Sequence, residues 1–129
     1  NCIVCHKLGD EGNEVGPSLG SITGKPDESV LMDILDPNGK IEPEYKLYLI
    51  SAKGGKAHAG VLASESPTSV ILKRVDGGTD VILRKDIIKM TASELSLMPA
   101  NLHVQISPQD VTDLIAFLRR TFARKPKGQ

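Results

Sequence analysis

Apolar and polar residues change their rhythm twice along this chain. From about Tyr45 to Met90 they alternate with a period of two, in short runs of Val, Ile, Leu and Tyr separated by glycine-rich turns. The runs are Tyr45 to Ile50, Ala57 to Ala63, Ser69 to Val75 and Thr79 to Leu83, with a short fifth at Ile87-Ile88. Lys53-Gly54-Gly55-Lys56, Ser64-Glu65-Ser66-Pro67 and Asp76-Gly77-Gly78 punctuate them, so this segment predicts an antiparallel meander.

On either side the period is helical or absent. Asp27 is a candidate N-cap for a short helix carrying Val30, Leu31, Ile34 and Leu35, which Asp36-Pro37 should end. The clearest helix starts at Ser107-Pro108-Gln109-Asp110: a capping serine, a proline at the first position and an acid at the positive end of the dipole. Val111, Leu114, Ile115, Leu118 and Phe122 then recur on one face. Lys7 to Leu19 is glycine-rich and aperiodic and reads as a loop, and the polar tail from Arg124 should fray.

At 129 residues, this pattern predicts one domain with an insertion. Residues 1–44 and 91–129 would form the discontinuous parent domain and 45–90 the inserted β module. Hydrophobic residues make up 40% of the chain, yet it has only two Tyr, two Phe and no Trp. So aromatic-poor a core is easier to build around a large flat cofactor. Sixteen basic and sixteen acidic residues cancel, which argues against nucleic acid or an anionic membrane as partner. No apolar run has transmembrane length.

Candidate chemistry is concentrated in Cys2-Ile3-Val4-Cys5-His6. Two cysteines three apart, followed at once by histidine, form the pattern of a c-type haem attachment site. One helical turn presents both thiols to one porphyrin edge for addition to the vinyl groups, and the histidine supplies a proximal imidazole nitrogen. Three other readings are weaker. Half a zinc site lacks a second cysteine pair, and His58 and His103 are far apart. A thioredoxin-like pair lacks its strand–helix–strand setting, and a disulfide across so tight a loop closes little chain entropy.

The other ring nitrogen of a haem histidine needs a partner. The Pro17 carbonyl in Gly16-Pro17 is the candidate, on a residue with fixed φ and no competing N–H; an ordinary turn proline is the alternative. Candidates for a ligand opposite His6 are Met32, Met90, Met98, His58 and His103. Met98 precedes Pro99, which pushes it into an extended loop just before the last helix, where a thioether ligand belongs. His103 is the runner-up. Tyr45, Tyr48, Lys53 and Lys56 are candidate contacts from the β module to a haem propionate.

With these residues placed, the chain resembles the class I cytochromes c. More closely, it resembles the haem-binding domain of planctomycetes and verrucomicrobia, often found at the C-terminal end of large secreted dehydrogenase-like or repeat-containing proteins. The resemblance is carried by Cys2 to His6, Gly16-Pro17-Ser18-Leu19, Ile34 to Pro37, Ile41 to Tyr45, Ser96 to Pro99 with Leu102, and Asp113 to Leu118. It implies a mainly α cytochrome c-like domain with a small inserted antiparallel β-meander, α+β overall. It further implies one haem c held through Cys2 and Cys5, iron ligation by His6 and Met98, and a Pro17 carbonyl on the His6 ring.

The usual helix before the first cysteine is missing from this chain, which starts at Asn1 with neither a signal peptide nor an initiator methionine and is expected to be a piece of something longer. Without that helix the stripe on the last helix lacks its usual partner: either residues upstream would cover it or another surface does, and a bare stripe should favour self-association. The expected function is single-electron transfer by a non-enzymatic domain in the periplasm or another extracytoplasmic compartment. Its partners would be a redox donor and acceptor, one of them a dehydrogenase that is fused or separate. A haem-based sensor or peroxidase-like domain with a labile distal ligand is the alternative function. The β module, on a further reading compatible with electron transfer, is an interaction module for the parent protein or a partner.

Overall fold

A computed structural model describes residues 2–123; the tail from Arg124 lies outside the described residues. Its dominant element is one five-stranded antiparallel sheet, β1 Leu47–Ala52, β2 Lys56–Glu65, β3 Ser69–Lys73, β4 Thr79–Leu83 and β5 Ile87–Ala92, in the order β4-β3-β2-β1-β5. The α-helices are α1 Asp27–Leu35, α2 Leu102–Gln105 and α3 Pro108–Ala123, of nine, four and sixteen residues. Short 3-10 segments lie at Cys2–Val4, Leu19–Gly24, Pro43–Tyr45 and Arg84–Asp86.

The expectation of a mainly α, class I cytochrome-like domain is therefore overturned: the chain is mainly β. The physical reason is local. Residues 2–24 hold too many glycines and turn formers to support an α-helix, and only 3-10 turns form there. In the middle segment β2 and β5 pair along longer strands than their sequence signal marked, while β1 and β4 keep the expected length and β3 is shorter. β5, expected as two residues, runs for six and includes Met90.

The sheet cannot be flat. β4 and β5 lie at opposite edges, yet only Arg84–Asp86 joins them. Four strand spacings of about 4.8 Å would set them roughly 19 Å apart, beyond the roughly 15 Å that four Cα–Cα steps span. The antiparallel pairings also make β4 and β5 run the same way, so a flat layout would add the return along a strand. The sheet must curl into a small, partly open barrel. Bulges at Leu62/Ser64 in β2 and at Ser51/Ala52 in β1 supply the bends. The link is tied at both ends, with Arg84 N–H donating to the Thr68 carbonyl (2.9 Å) and Lys53 N–H to that of Asp86 (2.8 Å).

Curling encloses Ile50, Ala52, Val70, Leu72 and Ile82, with Tyr48, Leu62, Ile87 and Met90 at the margin. A second, separate core joins Ile22, Val30 and Ile34 to Val111, Ile115 and Leu118 of α3. Of the two alternatives for the α3 stripe, cover by another surface is the one found. Val111, Ile115 and Leu118 are buried against the Leu19–Gly24 turn and α1, and the Phe122 ring sits over Gly20. That removes the basis for self-association through this face. Arg119 fastens the same contact, donating to the carbonyls of Ile22 and Lys25 and to the Asp27 carboxylate (2.9 Å). Asp27 is thereby the first residue of α1 and not its cap, which is Pro26. At α3 the cap is reciprocal: Asp110 N–H donates to Ser107 Oγ (3.1 Å) and Ser107 N–H to the Asp110 carboxylate (2.8 Å).

Across β2 and β4 runs the barrel's main polar network. His58 Nδ1 lies 2.9 Å from one Asp80 oxygen, while Arg74 bonds the other and also Asp76. His58 and then Arg74 hold the Asp80 carboxyl below its ordinary value. A depressed carboxyl stabilises the fold above its unfolded value, near pH 4, and loses that contribution as pH falls through its lower folded value. Asp80→Asn should therefore cost about 1 kcal/mol at pH 7, the scale of a partly exposed charge pair. Urea midpoints measured from pH 7 to pH 2 should show the difference from wild type shrinking below pH 4. A gap that stayed constant to pH 2 would contradict it.

Candidate haem-attachment site

The site is built from one turn and the loop that folds back beneath it. Cys5 N–H and His6 N–H both donate to the Cys2 carbonyl, at 3.2 and 2.9 Å, so both thiols and the imidazole leave a single turn. The loop is then fastened to that turn by its backbone. Asn13 N–H donates to the Ile3 carbonyl (3.1 Å), Val15 and Gly16 N–H to that of Cys5 (3.0 and 2.7 Å), and Leu19 N–H to that of Lys7 (2.8 Å). Asn13 Nδ2 adds a bond to the Val4 carbonyl at 3.0 Å. Glycine is required where the strands of this knot meet. Gly12 has φ 90°, and any Cβ there would overlap the His6 carbonyl.

These bonds bring the Pro17 carbonyl to 2.6 Å from His6 Nδ1. A carbonyl only accepts, so Nδ1 carries the proton, and Nε2 is the ring nitrogen left to act as a ligand. Gly16 is the floor beneath that ring. A Cβ on it would stand 2.6 Å from His6 Cε1 and 3.0 Å from Nδ1, so only glycine lets the imidazole lie there.

Cys2 is exposed and Cys5 partly so, and the two sulfurs are unbonded to each other. Burial, and secondarily the neighbouring Cys2, push the Cys5 thiol up. That is the opposite of an activated thioredoxin-type thiolate. Among the described residues no three His, Cys, Asp or Glu side chains gather as a metal site, which leaves half a zinc site without its other half. Two unpaired thiols on one turn, an imidazole with a fixed tautomer and a cradle that only glycine permits fit a covalently held haem.

The other sequence candidates are spread apart. His58 is bonded to Asp80 and Met90 packs in the barrel core, while Met32 and His103 are exposed on α1 and α2. Met98 is half-buried and packs on the helical core, the same cluster that takes Leu8 and Leu19, the residues two beyond His6 and Pro17. Its segment is held by Ser96, whose N–H donates to Asn38 Oδ1 (2.7 Å) and whose Oγ accepts from Met98 N–H (3.1 Å). Of the β-module candidates, Tyr45 reaches the site loop: with Lys7, Asp10, Glu14, Ser18 and Lys73 it lines a polar cleft of about 440 Å³. Lys53 and Lys56 flank the exposed β1–β2 turn, and Tyr48 faces the barrel core.

Three residues that sequence patterns did not mark also shape the site. Asn13 was one loop polar among many, and Gly16 was noticed only for the proline after it. Val75, in the turn between β3 and β4, brings its carbonyl to 3.8 Å from Cys5 Sγ, a contact between residues seventy apart. Set against known proteins, the chain matches no family model and no curated protein. No helix among the described residues is long and apolar enough to cross a membrane.

Gly16→Ala should shift or broaden the His6 ring resonances and lower stability by about 1–3 kcal/mol, as overpacking against a fixed ring does. Gly24→Ala, where a Cβ meets nothing within 4 Å, should leave the ring signals in place. Equal spectra for the two variants would mean that the Gly16 floor does not position the imidazole.

Proposed function

We propose that this chain is a c-type haem domain that carries single electrons outside the cytoplasm, between a donor such as a dehydrogenase and a redox-protein acceptor. The observation that carries the proposal is the 2.6 Å contact from His6 Nδ1 to the Pro17 carbonyl, made on the same turn as two unpaired thiols. Haem, when bound, supplies the one-electron ferric/ferrous couple.

The chain's own residues supply attachment and orientation. Cys2 and Cys5 provide the two sulfurs for the thioethers, and the Cys2 carbonyl, by holding both following N–H groups, keeps the turn that spaces them. Pro17 accepts from His6 Nδ1, so Nε2 would be the nitrogen that holds the group, and Gly16 lets the ring lie against the loop. Met98 would be the second residue to hold the group. Of the five candidates it alone packs on the core that abuts the His6 and Pro17 segments. With His6 and Met98 both holding the group, no position would remain for a substrate, which favours a carrier over an enzyme, and a thioether would raise the potential.

The test is to produce the protein with haem-attachment machinery in a bacterial periplasm and record ferric and ferrous spectra. Haem should stay with the denatured chain, and Cys2→Ser with Cys5→Ser should abolish that. Wild type should be low-spin with the weak far-red ferric band of a sulfur–iron bond, and Met98→Ala should lose the band and bind carbon monoxide readily when reduced. A low-spin spectrum unchanged in Met98→Ala would reject Met98 as ligand. A wild type that is high-spin, or that cannot be cycled between ferric and ferrous, would reject the carrier.

A further inference from the structure

Between β5 and α2 the chain runs from Ser93 to Asn101 without helix or strand, and Met98 lies in this stretch. Its hydrogen bonding is sparse. Ser93 N–H donates to the Leu47 carbonyl (2.8 Å), the last tie to β1. Beyond it, Leu95 N–H donates to Ser93 Oγ and Met98 N–H to Ser96 Oγ, each at 3.1 Å and each within the segment. Among the described residues, one hydrogen bond reaches residues 94–100 from elsewhere in the chain. It is the bond from Ser96 N–H to Asn38 Oδ1, at 2.7 Å and across 58 positions.

Asn38 is itself firmly placed. Asp36 N–H donates to the Met32 carbonyl (2.8 Å) and closes α1, and Gly39 N–H returns to the Asp36 carbonyl (3.1 Å). Pro37 and Asn38 are thus the central residues of a tight turn, where proline presets the backbone. Pro37 is buried and Asn38 half-buried, just past Ile34 of the helical core. Gly39 leaves room for the Asp36 carboxylate, which a Cβ there would overlap. The Asn38 acceptor therefore projects from the end of the helix whose core Met98 packs against.

A methionine side chain has three rotatable bonds, so packing alone sets its sulfur loosely. Its backbone must be held for the sulfur to return to one place. Pro99 brings no N–H to the task. Met98 N–H is held by Ser96, and Ser96 N–H by Asn38, so the two bonds act in series.

We propose that Asn38 is a positioning residue for Met98: through Ser96 it fixes the methionine backbone and so sets how firmly Met98 holds the haem against competing ligands. This rests on the haem reading, with Met98 within it, and adds the residue that governs access to the site. Asn38 makes and breaks no covalent bond; it keeps one N–H donor in place.

The probe is imidazole, added to ferric holo-protein, where it has to displace the methionine. Asn38→Ala should bind it about tenfold more tightly than wild type, the scale of one hydrogen bond whose donor is left unpaired. Asn38→Asp keeps an acceptor oxygen and should stay within about threefold of wild type. Ser66→Ala removes a hydroxyl that accepts from two N–H groups in the distant β2–β3 turn, and should leave the affinity unchanged. Amide exchange of Ser96 in ferrous protein should quicken in Asn38→Ala and not in Asn38→Asp. Ser96→Ala should tighten imidazole binding too. Combined with Asn38→Ala it should exceed the stronger single variant by less than about twofold, because links in series do not add.

Faster Ser96 exchange in Asn38→Ala with imidazole affinity as in wild type would make Asn38 a loop anchor only and overturn the proposal. Asn38→Asp behaving as Asn38→Ala, or additive effects in the double variant, would also overturn it. If Asn38→Ala yields no folded protein, Ser96→Ala decides alone, and wild-type affinity in it would reject the relay. Failure of the haem reading looks different. A chain without haem, or a Met98→Ala variant with the spectrum and imidazole affinity of wild type, would remove Met98 as ligand and this role of Asn38 with it.

Discussion

The hydrogen bond between His6 Nδ1 and the Pro17 carbonyl is the constraint on which the rest of the site depends. It requires residue 17 to return beneath residue 6 within a loop that buries almost nothing; Val15 is its one buried side chain. Hydrophobic burial therefore cannot hold the loop in place, and backbone hydrogen bonding must. The Cys5 carbonyl accepts from two successive N–H groups, Val15 and Gly16, and the Ile3 and Lys7 carbonyls accept one each. Such a lattice needs close approach of main chains, which is why Gly12 and Gly16 occupy the two tightest points. Proline completes it with a carbonyl on a residue of fixed φ.

The two apolar cores divide the structural work. The helical core buries the α3 stripe against α1 and the Leu19–Gly24 turn, and so fixes where the loop must end. The barrel core is held by topology. A three-residue link between its edge strands forces the sheet to curl, and the bulges in β1 and β2 place the bends. Once curled, the barrel presents the β3–β4 turn to the loop. The attachment turn is therefore braced by both cores, although neither encloses it.

Much of this was legible in the sequence because the signals are local. The α3 boundaries follow from Ser107, Pro108 and Asp110, and the strand ends from Gly54-Gly55 and Gly77-Gly78, each fixing the conformation of its own few residues. The Gly16-Pro17 pair was legible for the same reason. What could not be read depends on pairing between distant segments. The weight of β over α was misjudged because strand length is set by partners: Met90 joins β5 through Ile50. What covers the α3 stripe could not be read, because a 3-10 turn has no periodic apolar pattern to mark it. Its key residue is Gly20, whose lack of a side chain admits the Phe122 ring. The contact of Val75 with Cys5 left no local trace at all.

That contact changes how the β segment is to be understood. An inserted module can be tethered to its host by its ends alone, in which case its turns evolve and move independently of the site. Here the ties are elsewhere. Lys73 and Gly77 meet Glu14 and Asn13 in the middle of the site loop, and the Arg74–Asp76–Asp80–His58 network stiffens the turn that makes the contact. A loop with one buried side chain has few low-energy ways to keep a 2.6 Å hydrogen bond, and a rigid wall pressed against Asn13 removes several of the ways to lose it. The strands that looked like an addition to the domain are thus part of what holds the imidazole still.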